Sequence, residues 1–93
     1  MPRYLIEREY GQAVEEDMRR IGARSKRVAV EQFPEIRWDH SHVVGDESGI
    51  KSYCVYDAPD EDRLRRHAEV VGEHAVTRIY LIAGDVTPAD FVD

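Results

Sequence analysis

Two histidines, His40 and His42, stand two residues apart in a segment rich in β-forming residues. Side chains at this spacing leave the same face of a strand, separated by about 6.5–7 Å along the chain, so one metal ion can contact both imidazoles. Imidazole binds nickel, zinc and copper alike. The pair therefore predicts a transition-metal site without choosing the metal. The alternative is two ordinary strand histidines beside Trp38 that contact solvent.

Glu7 and His67 are the candidates for further ligands. Glu7 lies in a predicted central strand, where a carboxylate needs a partner: an arginine such as Arg78 on the neighbouring strand, a metal or a bound substrate. His67 lies in the apolar stripe of a predicted helix, where an unpaired imidazole costs about 1–3 kcal/mol, so it is either a hydrogen-bonded core residue or a ligand. A mixed set of nitrogen and oxygen donors suits nickel or zinc better than calcium or magnesium. The predicted metal ligands are therefore Glu7, His40, His42 and His67.

Cys54 and His74 are expected to lie outside this site. Cys54 falls in the middle of a predicted strand and is expected to behave as a small apolar residue. A reactive thiolate would need a nearby metal or positive charge. His40 or His42 could supply it only if the strand register puts them on the same side of the sheet as Cys54. The sequence leaves that register open. His74, just before the last strand, is predicted at the surface.

The elements that position these residues follow from the hydrophobic pattern and the glycines and prolines that interrupt it. Strands are predicted over 3–10, 36–44, 50–56 and 75–83, with a five-residue turn at 45–49. A long helix with its apolar face from Val14 to Gln32 ends at Phe33-Pro34, and a second helix runs from the N-cap Asp60 to Gly72. The tail over 83–93 is predicted to be irregular.

The order βαββαβ predicts an α+β fold, a ferredoxin-like sandwich with a four-stranded antiparallel sheet and two helices on one face. At 93 residues the chain is expected to be a single domain over 1–93. Two helices leave one face of the sheet bare, and that face must be polar, bind something or meet another chain. We therefore expect a homodimer.

Charge and hydropathy restrict the partners. The chain has 13 Lys and Arg against 19 Asp and Glu, a net charge of −6, which disfavours nonspecific attraction to nucleic acids or anionic membranes. Residues 51–56 also lack the glycine and the aromatic spacing of RNA-recognition motifs, which share this order of elements. Neither a membrane span nor a signal-peptide core is apparent, and a lone cysteine fits reducing surroundings. We expect a cytoplasmic protein that binds neither nucleic acid nor membrane.

Four short blocks resemble a known family: RYLIERE at 3–9, WDHSHV at 38–43, YCVYDAP at 53–59 and RHA at 66–68. They are similar to a bacterial domain-of-unknown-function family whose characterised member is a nickel-binding protein. The resemblance covers roughly residues 3–83; it implies a ferredoxin-like fold and a homodimer, and it makes nickel a candidate ligand. The turn at 45–49 looks longer than the tight turn of that family.

The function that follows is that of a small cytoplasmic metal-binding protein, with nickel or another divalent transition metal as the ligand. One alternative is a dimeric α/β-barrel enzyme of the cofactor-free monooxygenase or isomerase kind. Its pocket would lie between the helices and the sheet and use His67 with Tyr53 or Tyr56. A second alternative is an oligomerisation or sensor module with no site.

Overall fold

The computed structural model describes residues 1–92 and contains four strands and two helices in the predicted order. The strands are β1 (Arg3–Glu9), β2 (Arg37–Asp46), β3 (Gly49–Asp57) and β4 (Ala75–Leu81), and the helices are α1 (Glu15–Gln32) and α2 (Glu61–Val71). The strands form one antiparallel sheet in the order β2-β3-β1-β4. This confirms the α+β class and the four-stranded antiparallel sheet with two helices. No helix among residues 1–92 is long and apolar enough to cross a membrane.

Both helices begin where an aspartate accepts hydrogen bonds from free backbone amides. The carboxylate of Asp17 accepts from the amide of Val14 at 3.0 Å, and that of Asp60 accepts from the amide of Arg63 at 2.8 Å. The predicted N-cap of α2 is therefore confirmed. The helix ends at Gly72, whose φ of +70° suits a residue without a Cβ. Arg24 of α1 donates to the carbonyls of the last two residues of α2 at 2.9 and 3.0 Å, which joins the two helices.

The two faces of the sheet have different surroundings. On β1, Tyr4, Ile6 and Arg8 are buried beneath the helices, whereas Leu5 and Glu7 point to the opposite face. We call the covered face the helix side and the other the open face. The helices complete the core with the predicted apolar stripe of α2 and with four residues of α1: Leu64, His67, Ala68 and Val71, and Ile21, Ser25, Val28 and Ala29.

The predicted five-residue turn at 45–49 is wrong, because the hairpin closes with only Glu47 and Ser48 between the strands. Asp46 pairs with Gly49 across the turn, and the Asp46 carboxylate accepts hydrogen bonds from the amide and hydroxyl of Ser48 at 2.8 and 2.6 Å. Gly49 adopts a φ of +126°, which only glycine takes readily. Gly45 looks like a turn residue in the sequence, yet it pairs with Ile50 inside the ladder.

The chain after β4 differs slightly from its predicted form. β4 ends at Leu81 instead of Ala83, and the tail contains a short 3-10 helix over Pro88–Asp90. The carboxylate of Asp90 accepts from the amide of Thr87 at 2.7 Å at the start of this helix. Asp93, the last residue of the predicted irregular tail, lies outside the described residues.

Candidate functional site

His40 and His42 lie side by side on the open face. His40 pairs with Val55 and His42 with Tyr53, and a register shift between Trp38 and His40 precedes the pair. The two rings are edge to face with their centroids 5.2 Å apart, and both residues are exposed. Two imidazoles at this separation, on one face and in contact with water, are available as nitrogen donors to a single ion.

Asp39 fixes the orientation of one of these rings. The Nδ1 atom of His40 lies 2.5 Å from a carboxylate oxygen of Asp39. This hydrogen bond is the main reason that the pKa of the Asp39 carboxyl lies below its usual value. When Nδ1 donates to a carboxylate, Nε2 keeps a free lone pair, and metal-binding histidines are held in this way.

Glu7 shares the open face with the two histidines but lies two strands away. It pairs with Tyr53 on β3 and with Arg78 on β4, so Tyr53 lies between Glu7 and His42. The strand register therefore places Arg78 directly beside Glu7, as expected from the sequence. Two strand spacings put the backbones of Glu7 and His42 about 9.6 Å apart. Glu7 is thus in the same row as His42, but it is not adjacent to the pair.

His67 lies on the other side of the sheet from the three other predicted ligands. It is 0% exposed, and its Nε2 atom is 2.9 Å from the carbonyl oxygen of Ser25 on α1. Its ring packs against Phe33 and Tyr56, and burial lowers its pKa below 6.5. Nδ1 is buried without a hydrogen-bond partner. His67 is therefore the hydrogen-bonded core histidine that the sequence offered as one of two readings.

One ion in a single protomer cannot contact all four predicted ligands, because the sheet separates His67 from the other three. The α2 stripe correctly placed His67 toward the sheet, but the sequence did not determine which face the β2 histidines occupy. Within residues 1–92, no group of three or more His, Cys, Asp or Glu side chains is arranged to hold a metal ion. The structure brings His40 and His42 together and leaves Glu7 and His67 apart from them.

The strand register also separates Cys54 from the histidine pair. Cys54 pairs with Ser41, so its side chain points to the helix side while the flanking histidines point to the open face. The thiol is buried, and its sulfur lies 3.3 Å from the hydroxyl of Ser52. Cys54 therefore has the surroundings expected of a small core residue, and its thiol does not face His40 or His42.

Arg8 is a buried charged residue that was not among the predicted site residues. It is 2% exposed, and its guanidinium lies 3.3 Å from Nε2 of His74 and 3.5 Å from the hydroxyl of Tyr56. The prediction that His74 lies at the surface is wrong, because its ring is half-buried, stacks on Tyr10 and is held by the carbonyl of Gly72 at 2.7 Å. Burial lowers the pKa of His74. The alternation of β1 was the available signal, since it puts Arg8 on the side of Tyr4 and Ile6.

A cavity of about 150 Å³ lies between α1 and the helix side of the sheet. Its lining includes Arg8 and Tyr56 but not His67, and Tyr53 lies on the open face. The enzyme alternative needed His67 together with Tyr53 or Tyr56 at one pocket. The structure therefore provides a pocket in the expected layer without the expected pair of residues.

Comparisons with known proteins agree with the fold. The chain matches the family described as "Nickel responsive protein SCO4226-like" over residues 4–82, which confirms the resemblance inferred from the sequence. Its fold is similar to the crystal structure of SCO4226 from Streptomyces coelicolor A3(2), with a TM-score of 0.68 and 14% identity over 90% of this chain and 99% of that chain. A search among curated proteins finds no match. The chain therefore belongs to the SCO4226-like family of nickel responsive proteins.

Proposed function

We propose that the protein binds nickel, or another divalent transition metal, through His40 and His42 on the open face. The observation that carries this proposal is the pair of neighbouring exposed imidazoles, one of them oriented by Asp39. The family description as nickel responsive supports nickel among the metals that imidazole prefers. The two imidazoles fit a metal ion whose remaining positions are filled by water or by donors from a second copy of the chain.

We further propose that the domain is a ferredoxin-like sandwich that forms a cytoplasmic homodimer through the open face. The strand order β2-β3-β1-β4 is consistent with this fold, and the free, buried Cys54 with a reducing compartment. In the same row as His40, the open face carries a strip of two apolar side chains that contact solvent, the half-buried Leu5 and the exposed Tyr80. Pairing two such faces removes this strip from water and brings donors of the second protomer, such as Glu7, toward the histidines.

Sedimentation tests the dimer separately from the metal. We expect the metal-free protein to sediment as a dimer at micromolar concentration, because the apolar strip on the open face is then covered. A charged substitution in that strip, Leu5→Glu, is expected to shift the protein to monomer, whereas the exposed Val30→Glu on α1 is expected to leave it dimeric. A metal-free monomer would contradict the proposed assembly.

Calorimetric titration with nickel tests the metal site. We expect saturable binding by the wild-type chain at neutral pH and a loss of at least about 100-fold in the His40→Ala/His42→Ala double variant, because no other adjacent imidazole pair remains on the open face. A single His67→Ala variant is expected to bind like the wild type, provided that it is folded. Unchanged affinity in the double variant, or a lack of saturable binding by the wild type, would contradict the proposal.

The carboxylate behind His40 provides a finer test. Asp39→Asn keeps the shape of the side chain but removes the charge that supports the His40 ring, and such changes weaken metal binding by about 10–100-fold. Glu47→Gln is the matched control, because it removes one negative charge from the hairpin turn of the same strand pair. Equal effects of the two variants would indicate general charge attraction instead of support for a ligand.

A further inference from the structure

The cavity between α1 and the sheet combines apolar walls with one buried positive charge. Met18 and Ile21 of α1 form one wall, and Trp38 and Val43 of β2 lie on the other side of it. Trp38 is 39% and Val43 58% exposed, so the cavity opens to solvent along β2, which the helices leave uncovered. Arg8 is the charged residue of the lining.

The charge of Arg8 is not balanced by an acid within the described part of the chain. Its nearest polar partners are the neutral hydroxyl of Tyr56 at 3.5 Å and a ring nitrogen of His74 at 3.3 Å, and its buried Nε atom has no hydrogen-bond partner. No carboxylate within residues 1–92 forms a salt bridge with it. Arginine keeps its proton in proteins, so burial of this group is unfavourable unless an anion joins it.

The position of Gly22 keeps the cavity open from the helix. Gly22 lines the cavity and lies in the interior of α1. Glycine at an interior helix position destabilises the helix relative to alanine. A Cβ at this position would meet nothing within 4 Å, so close packing does not explain the glycine. The missing side chain leaves room in the cavity that Arg8 also lines.

We propose that this cavity binds a small organic monocarboxylate with a compact apolar body. A guanidinium matches the two oxygens of a carboxylate, and the hydroxyls of Tyr10 and Ser52, 2.7 Å apart in the lining, are further polar partners. A single cation in an otherwise uncharged cavity suits one negative charge, and the net charge of −6 disfavours polyanions. A cavity of about 150 Å³ is large enough for a single six-membered carbon ring.

Trp38, the only tryptophan of the chain, lines the cavity and reports on its occupancy. The probe is cyclohexanecarboxylate, which does not absorb where tryptophan does, and the control ligand is its neutral amide. We expect a saturable change in Trp38 fluorescence with the carboxylate and at least tenfold weaker binding of the amide. The experiment contains no metal, so its result is independent of the proposed nickel site.

Two variants locate the binding. Arg8→Met removes the charge but keeps the length of the side chain, and Gly22→Leu fills the cavity from α1 without changing Arg8. Each is expected to weaken carboxylate binding at least tenfold, whereas Arg78→Met, a matched loss of an arginine on the open face, is expected to change it less than twofold. Without ligand, Arg8→Met is expected to keep or raise the thermal midpoint, because it removes an unbalanced buried charge.

Three results would overturn the proposal. One is the lack of saturable binding of the carboxylate up to millimolar concentration. Another is equal binding of the carboxylate and the amide. The third is a folded Gly22→Leu variant that binds like the wild type, together with a lowered thermal midpoint in Arg8→Met, which would assign Arg8 a purely structural role.

Discussion

Histidines on the two faces of the sheet have opposite surroundings. On the open face, His40 and His42 are exposed and touch each other ring to ring. On the helix side, His67 of α2 is buried against α1 and Tyr56, and its Nε2 atom is hydrogen-bonded to the backbone carbonyl of Ser25. The same residue type is therefore available to a metal on one face and is part of the core on the other. The strand register decides which of these applies.

Charged residues differ between the two faces in the same way. On the open face, Arg3 and Lys51 lie within 3.7 Å of Asp57 and Glu9, respectively, in partly exposed pairs that contribute little to stability. On the helix side, Arg8 is buried with only neutral partners. A charge that the fold itself does not balance indicates a ligand more strongly than a charge that is paired in water.

The largest expected contrast between the faces is in apolar packing. Leu64→Ala on the helix side removes a side chain that is 0% exposed and is expected to lower the free energy of unfolding by about 2–5 kcal/mol, because it leaves a cavity in the core. Val44→Ala on the open face, where the side chain is 47% exposed, is expected to cost less than about 1 kcal/mol. Denaturant unfolding measures both. Similar losses would mean that the open face is also a core surface in the isolated chain.

Histidine substitutions give the next largest contrast. His67→Ala removes a buried ring and leaves the carbonyl of Ser25 without its partner, so we expect a loss of about 2–4 kcal/mol. His42→Ala is expected to change the free energy of unfolding by less than about 0.5 kcal/mol. Both are measured without metal by denaturant unfolding. A large loss for His42→Ala would make the exposed pair a structural feature of the sheet.

A smaller effect is expected from pH. Burial lowers the pKa values of His67 and His74 below their ordinary value of 6.5, with the positive charge of Arg8 adding to the effect. Below about pH 6.5 the unfolded chain takes up protons at these histidines that the folded chain does not, so the free energy of unfolding should fall as pH decreases from 7 to about 5.5.

Variants locate the source of this fall. The His67→Gln/His74→Gln double variant is expected to show little change in the free energy of unfolding over the same range, because its two side chains do not titrate. His40→Gln/His42→Gln is the matched control and is expected to keep the fall. If the fall is instead lost in His40→Gln/His42→Gln and kept in His67→Gln/His74→Gln, the exposed histidines control the pH dependence.

Much of the fold was predictable because it depends on local patterns. The stripe of α2 placed Leu64 and His67 toward the sheet, and the carboxylate of Asp60 marked the start of that helix. The turn between β2 and β3 was not predictable, because Gly45 and Gly49 look alike in the sequence but only Gly49 adopts a positive φ.

The candidate site was predictable only in part. The spacing of His40 and His42 fixes that they share a face, but the face they occupy depends on how β2 pairs with β3, and that pairing is a long-range property. The separation of His67 from the pair follows from the same register. The alternation of β1 could have predicted that Arg8 is buried with Tyr4 and Ile6. The lack of an acid beside it depends on tertiary packing, which the sequence does not show.

The most direct test of a metal site on the open face follows the imidazole signals of all four histidines by nuclear magnetic resonance during a nickel titration. We expect the signals of His40 and His42 to broaden first and most strongly at substoichiometric nickel, while those of His67 and His74 change far less, because the sheet lies between. Strongest broadening at His67 or His74 would contradict the open-face site.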